Sequence, residues 1–252
     1  MLKLTKLILI MFLLLGAAHK SILSAEPNAV LSNAESEFAD LIIAADAELD
    51  SNDRAGAEQF LLQGNQILNQ NPGINTFLKG HFNKVYGKFY MAYDAAIALQ
   101  YFNTAISQFS GNALEQAETK MFIGIAHYHA GNYTIATSYF EEAKAIFDSQ
   151  GDMQKSAQAL NNLGVVAFQQ GNAETAVILC NRSLSINNEI GNRVNADRNQ
   201  HNLAVFTGDS ASQFYTLPPV NSQERLGGTG TGSGSTITTS GSGTVVVTTP
   251  GG

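Results

Sequence analysis

A Gly-Asn or Gly-Asp pair recurs at a fixed interval through the middle of the chain. The pairs are Gly111-Asn112, Gly131-Asn132, Gly151-Asp152, Gly171-Asn172 and Gly191-Asn192, with eighteen residues between successive pairs. Glycine suits the left-handed residue just past a helix end, and Asn or Asp caps the first turn of a following helix. Each pair therefore predicts that one helix ends and the next begins.

The residues between the pairs follow the period of an α-helix. In 132–150, Ala136, Phe140, Ala143 and Phe147 recur at spacings of three and four. The repeating unit is forty residues, because 123–140 aligns with 163–180 and places Gly124 on Gly164. A unit of this length cannot bury a core alone, so the pattern predicts stacked helical hairpins.

GNYTIATSYFEEA at 131–143 and QALNNLG at 158–164 carry a family resemblance. They resemble the tetratricopeptide repeat, in the forty-residue subtype found in GoLoco-binding polarity adaptors and kinesin light chains. The resemblance implies an all-α, right-handed superhelical solenoid of antiparallel helix pairs. It covers about 34–206 and predicts about four repeats plus a capping helix at 192–206.

The earlier units match the pattern less closely. DAAIALQYFNTA at 94–105 matches 132–143 at an offset of 38 residues, but Tyr86 stands where the mid-helix glycine is expected. In the unit at 34–71, Ala57 and Gly64 are the expected small residues of the second helix.

The two ends of the chain differ from the repeats. Residues 1–25 join a lysine-containing start to a short apolar run, which predicts a secretory signal peptide cleaved after Ala18 or Ala25. An uncleaved signal anchor is the alternative, and attachment to a membrane is expected only through it. The predicted repeat domain spans 26–207.

The tail, 208–252, has Pro218-Pro219 and then a Gly/Thr/Ser-rich stretch without charged side chains, so disorder is predicted. A spacer, a glycosylated stalk or a strand donor, from TVVVTT at 244–249, is the alternative.

The sequence predicts no catalysis, cofactor or metal. Cys180 stands at a core position of the repeat, and His127 and His129 lie on different faces of one helix. No nucleophile elbow, HExxH, Walker loop or CxxC motif is present. The net charge is −7, so the chain lacks the excess of basic residues that is typical of a nucleic-acid-binding protein.

The family resemblance implies that the first helix of each unit lines a concave, peptide-binding groove. The implied groove residues are Met121, Ile125, Tyr128, His129, Asn161, Asn162, Val165, Phe168, Arg198, His201 and Asn202. Asn162 and Asn202 stand where related repeats bond an extended peptide backbone, and Arg198 could bind a carboxylate. Alternatively, the Asn side chains bond the neighbouring helix.

The sequence departs from the two-carboxylate clamp of chaperone-binding relatives. That clamp needs Lys at 121 and Asn at 125, which here are Met and Ile, so an EEVD-type tail is not the expected ligand. The apolar middle of the groove favours a hydrophobic or amphipathic segment.

These features predict an exported, extracytoplasmic scaffold, in the periplasm or secreted, that binds a peptide or protein segment. The alternative is a structural component of an envelope or cell-surface assembly, with the tail as a tether. The groove Asn residues would discriminate between them.

Overall fold

The computed structural model describes residues 31–209, 236–240 and 244–248. The predicted signal peptide and most of the predicted tail therefore lie outside the described residues. The described helices are α1 Asn33–Asp50, α2 Arg54–Gln70, α3 Thr76–Tyr90, α4 Ala95–Gln108, α5 Ala113–His129, α6 Tyr133–Gln150, α7 Met153–Gln169, α8 Ala173–Glu189 and α9 Arg193–Phe206. Two strands, β1 Thr236–Ser240 and β2 Thr244–Thr248, form an antiparallel ribbon within the tail.

The helices pack as antiparallel pairs, α1–α2, α3–α4, α5–α6 and α7–α8, followed by α9. The all-α solenoid of four helix pairs and a final helix is thus confirmed. The odd-numbered helices are the first helices of the units, and α5, α7 and α9 begin forty residues apart. In the tail, β2 forms at TVVVT, where the sequence has strand-like composition.

The Gly-Asn ladder sets the helix boundaries as predicted. All five of its glycines have φ between +71° and +84°, where a side chain would be strained. The side chains of Asn112, Asp152, Asn172 and Asn192 each accept a hydrogen bond from the first turn of the next helix. Asn132 makes no such side-chain bond.

The two helices of a unit approach each other closely at the mid-helix glycine. A Cβ on Gly124 would lie 2.5 Å from Cε1 of Phe140 on α6. The earlier unit has the same contact, because a Cβ on Gly87 would meet Cε1 of Phe102. The prediction that this unit lacks the glycine was wrong: Gly87, one residue after Tyr86, takes the position.

The core forms two clusters along the solenoid. One joins α1, α2 and α3 around Phe38, Leu61 and Phe82, and the other runs from Met91 to Phe206. Each second helix contributes a fully buried alanine to its contact with the first helix, at Ala57, Ala98, Ala136 and Ala176. These small residues let the two helices of each pair approach closely.

Candidate functional site

The eleven predicted groove residues lie on the first helices of three successive units. Four are on α5, four on α7 and three on α9. Seven of them are buried: Met121, Ile125, Tyr128, Asn161, Asn162, Val165 and Asn202. The other four, His129, Phe168, Arg198 and His201, are partly exposed and are called the partly exposed groove residues below.

The three asparagines of the predicted groove are buried, whereas direct binding of a peptide would require their side chains to be exposed. Asn161, Asn162 and Asn202 are each 0 % exposed. Asn202 Nδ2 donates a 2.8 Å hydrogen bond to Oδ1 of Asn161 on the preceding first helix. Bonding between neighbouring helices, the alternative considered from the sequence, therefore accounts for Asn161 and Asn202. Direct contact of Asn162 or Asn202 with a peptide stays a prediction.

The amides belong to a buried polar network between α7, α8 and α9. Asn199 Nδ2 donates to Asn161 Oδ1 at 2.8 Å, and Asn187 Nδ2 donates to Asn199 Oδ1 at 2.7 Å. Ser183 Oγ donates to the backbone carbonyl of Ala157 at 2.7 Å. Because buried amides must keep their partners, this network fixes the position of α9 against the last helix pair.

Aromatic side chains support the same end of the solenoid. Phe168 of α7 stacks on Phe206 of α9 with ring centroids 4.8 Å apart. The buried hydroxyl of Tyr128 accepts a 3.1 Å hydrogen bond from Nε2 of Gln169, so α5 and α7 are joined. Burial raises the pKa of Tyr128, which therefore stays a neutral phenol.

A second polar feature, which we call the ionic seam, joins the first helices of the earlier units. It comprises the ion pairs of Lys88 with Asp46 and Asp50, of Lys84 with Glu115 and Glu118, and of Lys155 with Glu118. The acids lie on α1 and α5 and the lysines on α3 and α7, so the charge alternates from one first helix to the next. Lys84 Nζ lies 2.7 Å from Glu115 Oε2 and 3.0 Å from Glu118 Oε2.

The charges of the seam are mutually stabilised. Burial raises the pKa of Glu118, but Lys84 and Lys155 outweigh burial and bring it down to about 2. Burial lowers the pKa of Lys84, but Glu118 and Glu115 outweigh it and raise the value. Both groups thus stay charged at neutral pH, and the seam holds α1, α3, α5 and α7 in fixed register.

His81 of α3 lies beside the seam. Its ring meets Phe77 and Phe109 edge-on, and its Nε2 is 3.8 Å from Glu115 Oε1 without a hydrogen-bond partner in the described part of the chain. Burial, together with the charge of Lys84, lowers the pKa of His81 to about 3. The imidazole is therefore neutral at physiological pH.

Sequence reasoning missed the ionic seam. The sequence contains a pattern that indicates it. Lys84 and Lys88 follow Asp46 and Asp50 at an offset of 38 residues, which is close to the length of the unit. An acid at one position and a lysine one unit later predicts an ion pair between successive first helices.

The cysteine and the first of the two histidines weighed in the sequence as catalytic or metal-binding candidates lie in packed surroundings. The thiol of Cys180 is fully buried, and burial raises its pKa to about 12, which suits a core residue rather than a nucleophile. His127 stacks on Tyr139 with centroids 5.7 Å apart. Within 31–209 and the two strands, no group of three or more His, Cys, Asp or Glu side chains could hold a metal ion. In the same residues, no helix combines the length and apolar character needed to cross a bilayer.

Comparison with known sequences identifies one repeat. Residues 156–190 match the family model described as "Tetratricopeptide repeat". They cover most of α7 and all of α8. No curated protein matches the chain in sequence.

Comparison with solved structures shows that the fold is similar to those of larger repeat proteins. A Signal Transduction ATPase with Numerous Domains (STAND) protein with a tetratricopeptide repeat sensor, from Pyrococcus horikoshii, is 18 % identical with a TM-score of 0.61, covering 79 % of this chain and 31 % of that one. A Rap protein complexed with Competence and Sporulation Factor is 19 % identical with a TM-score of 0.63, covering 71 % and 51 %. The Rap conjugation gene regulator of plasmid pLS20, in complex with the Phr* peptide, is 21 % identical with a TM-score of 0.54, covering 71 % and 52 %.

These matches agree on the fold. The chain contains a tetratricopeptide repeat and folds as a solenoid of the same kind. It spans under a third of the STAND protein and about half of each Rap protein.

Proposed function

We propose that this tetratricopeptide repeat chain is an exported, non-catalytic scaffold that binds a peptide or protein segment in the concave groove of its solenoid. The observation that carries the proposal is the fold shared with the Rap regulator solved in complex with the Phr* peptide. Solenoids of stacked helix pairs form extended concave surfaces suited to peptides and protein segments. Similarity of fold does not determine function, so the kind of ligand is inferred from the groove residues.

The partly exposed groove residues suggest what kind of segment would bind. Phe168 offers an aromatic surface, and Arg198 offers a guanidinium that can bind a carboxylate through two parallel hydrogen bonds. His201 adds a polar ring that can donate or accept hydrogen bonds, whereas both ring nitrogens of His129 are buried. This combination favours a segment that carries an apolar side chain close to an acidic one.

The packing around these residues supports a groove that is formed before the ligand arrives. The ionic seam fixes α1, α3, α5 and α7 relative to one another, and the amide network fixes α9 against α7. A rigid groove loses little conformational entropy on binding, so more of the contact energy appears as affinity. We expect the backbone of the solenoid to move little when the ligand binds.

We include export in the proposal, and its only support is the signal-peptide pattern in the sequence of residues 1–25. The test is the mass and the N-terminal sequence of the protein recovered outside the cytoplasm of a cell that expresses the full chain. A chain beginning at His19 or at Glu26 is expected. A protein that keeps Met1 and stays in the cytoplasm would contradict export.

The second candidate is a structural role in an envelope or cell-surface assembly, with the tail as a tether. Solvent-exposed apolar side chains favour it: Leu62 of α2, Ile178 of α8 and Val194 of α9 are 54–62 % exposed. An assembly through the second helices would use Leu62 and Ile178 and leave the groove unused.

A site-specific photo-cross-linker separates the two candidates. The photoreactive amino acid p-benzoylphenylalanine would replace His201 in one protein and Ile178 in another, each in the full chain produced by its own cell. Groove binding predicts that residue 201 captures one defined segment of a partner and that residue 178 does not. Capture only at residue 178 would favour the structural role and contradict the proposal.

A further inference from the structure

Among the residues that the structure describes, the two strands of the tail ribbon pair only with each other, so each has an outer edge. Its register pairs Thr236 with Thr248 and Thr238 with Val246. In a two-stranded sheet, each strand leaves alternate backbone N–H and C=O groups unpaired on its outer side. An isolated ribbon of this size is marginally stable in water, and three or more strands are needed for independent stability. The ribbon therefore gains stability if a further strand pairs with it.

The sequence does not protect these edges. Residues 227–252 contain no charged side chain, and the nearest proline, Pro250, lies beyond β2. Lys, Pro and inward-pointing charges are the usual means by which proteins prevent pairing at an edge. Val and Thr, which dominate β2, are among the residues that strands favour. Nothing in the sequence of β2 therefore blocks the pairing of its outer edge with another strand.

The sequence of β2 indicates which strand that is. Thr244-Val245-Val246-Val247-Thr248 reads the same in both directions. If two copies of β2 pair antiparallel about Val246, each Thr244 lies opposite a Thr248 and each Val245 opposite a Val247. Opposed Thr pairs and pairs of β-branched residues stabilise antiparallel strands. β1 lacks this property, because the same operation would place Ile237 opposite Thr239.

We infer that two copies of this chain associate through β2, giving a four-stranded sheet in the order β1-β2-β2-β1 with a twofold axis at Val246. The contact is isologous, so one partner occupies each β2 edge, and the sequence of β1 does not offer the same self-complementary pairing at its own outer edge. The inference is independent of the groove: it concerns a different part of the chain and holds whether or not the solenoid binds a peptide.

Cysteine cross-linking tests the register. Cys180, the one cysteine of the sequence, is buried, so the background is low. Across the proposed axis, directly opposed Cα atoms lie about 4.5–5.5 Å apart, whereas diagonal ones lie at about 7–8 Å, beyond the ~7 Å limit for a disulfide. Mild oxidation should therefore link Val246→Cys to its own copy. Val245→Cys should link poorly to itself but readily to Val247→Cys. Equal linking of Val245→Cys and Val246→Cys, or no linking of either, would overturn the inference.

Charge complementation, measured as oligomeric state, gives a second test whose expected result a misfolded variant would not produce. Sedimentation equilibrium of the full chain should show a dimer for the wild type and monomers for Val246→Lys and for Val246→Glu. A mixture of these two variants should recover the dimer. Thr238→Lys is the matched control, because it adds the same charge to the outer strand and should leave the dimer intact. A monomeric wild type, or a mixture that stays monomeric, would contradict the inference.

Discussion

Asn199 on α9 donates a 2.8 Å hydrogen bond to Oδ1 of Asn161 on α7, and both side chains are fully buried. The contact joins α9 to α7, which are the first helices of the last two units of the solenoid. In the earlier units the corresponding connections are ionic, through Lys88, Lys84 and Lys155. The first helices are thus held side by side by polar contacts whose chemistry changes along the chain.

The amide network predicts a large effect for Asn161→Ala. The substitution removes the acceptor of two buried donors, Asn199 Nδ2 and Asn202 Nδ2, and each such loss costs about 1–3 kcal/mol. We expect the free energy of unfolding to fall by about 2–4 kcal/mol, measured by urea denaturation followed by circular dichroism. Asn132→Ala is the control, because that exposed N-cap makes no side-chain bond and its loss should be nearly neutral. Equal effects of the two substitutions would contradict a stabilising network.

The ionic seam predicts a contrast between two glutamates. Glu118→Gln leaves Lys84 and Lys155 with weaker partners in a partly buried site, so we expect a loss of about 2–3 kcal/mol in the free energy of unfolding. Glu142→Gln breaks the 2.6 Å pair with Lys120, where the glutamate side chain is 55 % exposed, and should cost less than about 1 kcal/mol. The same urea titration measures both. A Glu118→Gln loss no larger than that of Glu142→Gln would mean that the seam does not stabilise the solenoid.

Close packing at Gly124 predicts the sign of a glycine-to-alanine change. Alanine favours helix by about 1 kcal/mol over glycine, but a Cβ at Gly124 would lie 2.5 Å from the Phe140 ring, and overpacking costs about 1–3 kcal/mol. We expect a net loss of stability on thermal unfolding. At Gly73 a Cβ meets nothing within 4 Å, so Gly73→Ala should change the melting temperature little. A stabilised Gly124→Ala protein would show that the two helices can move apart.

His81 predicts a pH dependence of stability. Its pKa is lowered from the ordinary 6.5 to about 3 in the folded state, so the unfolded chain takes up a proton that the folded chain does not. The stability that neutral His81 provides is present above pH 6.5 and is lost progressively as the pH falls from 6.5 towards 3. The expected loss between pH 7 and pH 5 is about 2 kcal/mol.

His81→Phe keeps an aromatic ring in the site and removes the proton uptake. Its free energy of unfolding should therefore change less than that of the wild type between pH 7 and pH 5. Glu118 acts in a separate window, because its pKa is lowered from 4.5 to about 2, so its contribution declines only as the pH falls below about 4.5. Identical pH profiles for His81→Phe and the wild type would contradict the assignment to His81.

The parts of the fold that could be predicted from the sequence are those encoded locally. Gly151 with Asp152 carries a helix end and an N-cap in two adjacent residues, so the boundary needs no knowledge of distant contacts. Gly208, with φ of +80°, ends α9 in the same way, seventeen residues after Gly191. This end breaks the twenty-residue step and was not predicted as a member of the ladder.

The parts that could not be predicted depend on contacts between units. The exposure of Asn162 and Asn202 depends on how α9 lies against α7, which the position of each residue within its unit does not specify. The pairing of Lys84 with Glu118 likewise joins residues 34 positions apart. The mid-helix glycine of the second unit was predicted to be absent, because that unit is shorter than forty residues and the alignment placed Tyr86, rather than Gly87, at the glycine position.

The most direct test of the proposed groove is the affinity of a defined peptide for groove and surface variants. The peptide is the partner segment that cross-links at residue 201, made synthetically with a fluorophore and titrated by fluorescence polarisation. We predict that Arg198→Ala weakens binding at least about tenfold, the value of one charge-assisted hydrogen bond, while Arg182→Ala, on the exposed surface of α8, leaves it unchanged. Circular dichroism would confirm that both variants fold. Equal affinity of the wild type and Arg198→Ala for that peptide would contradict binding in the groove.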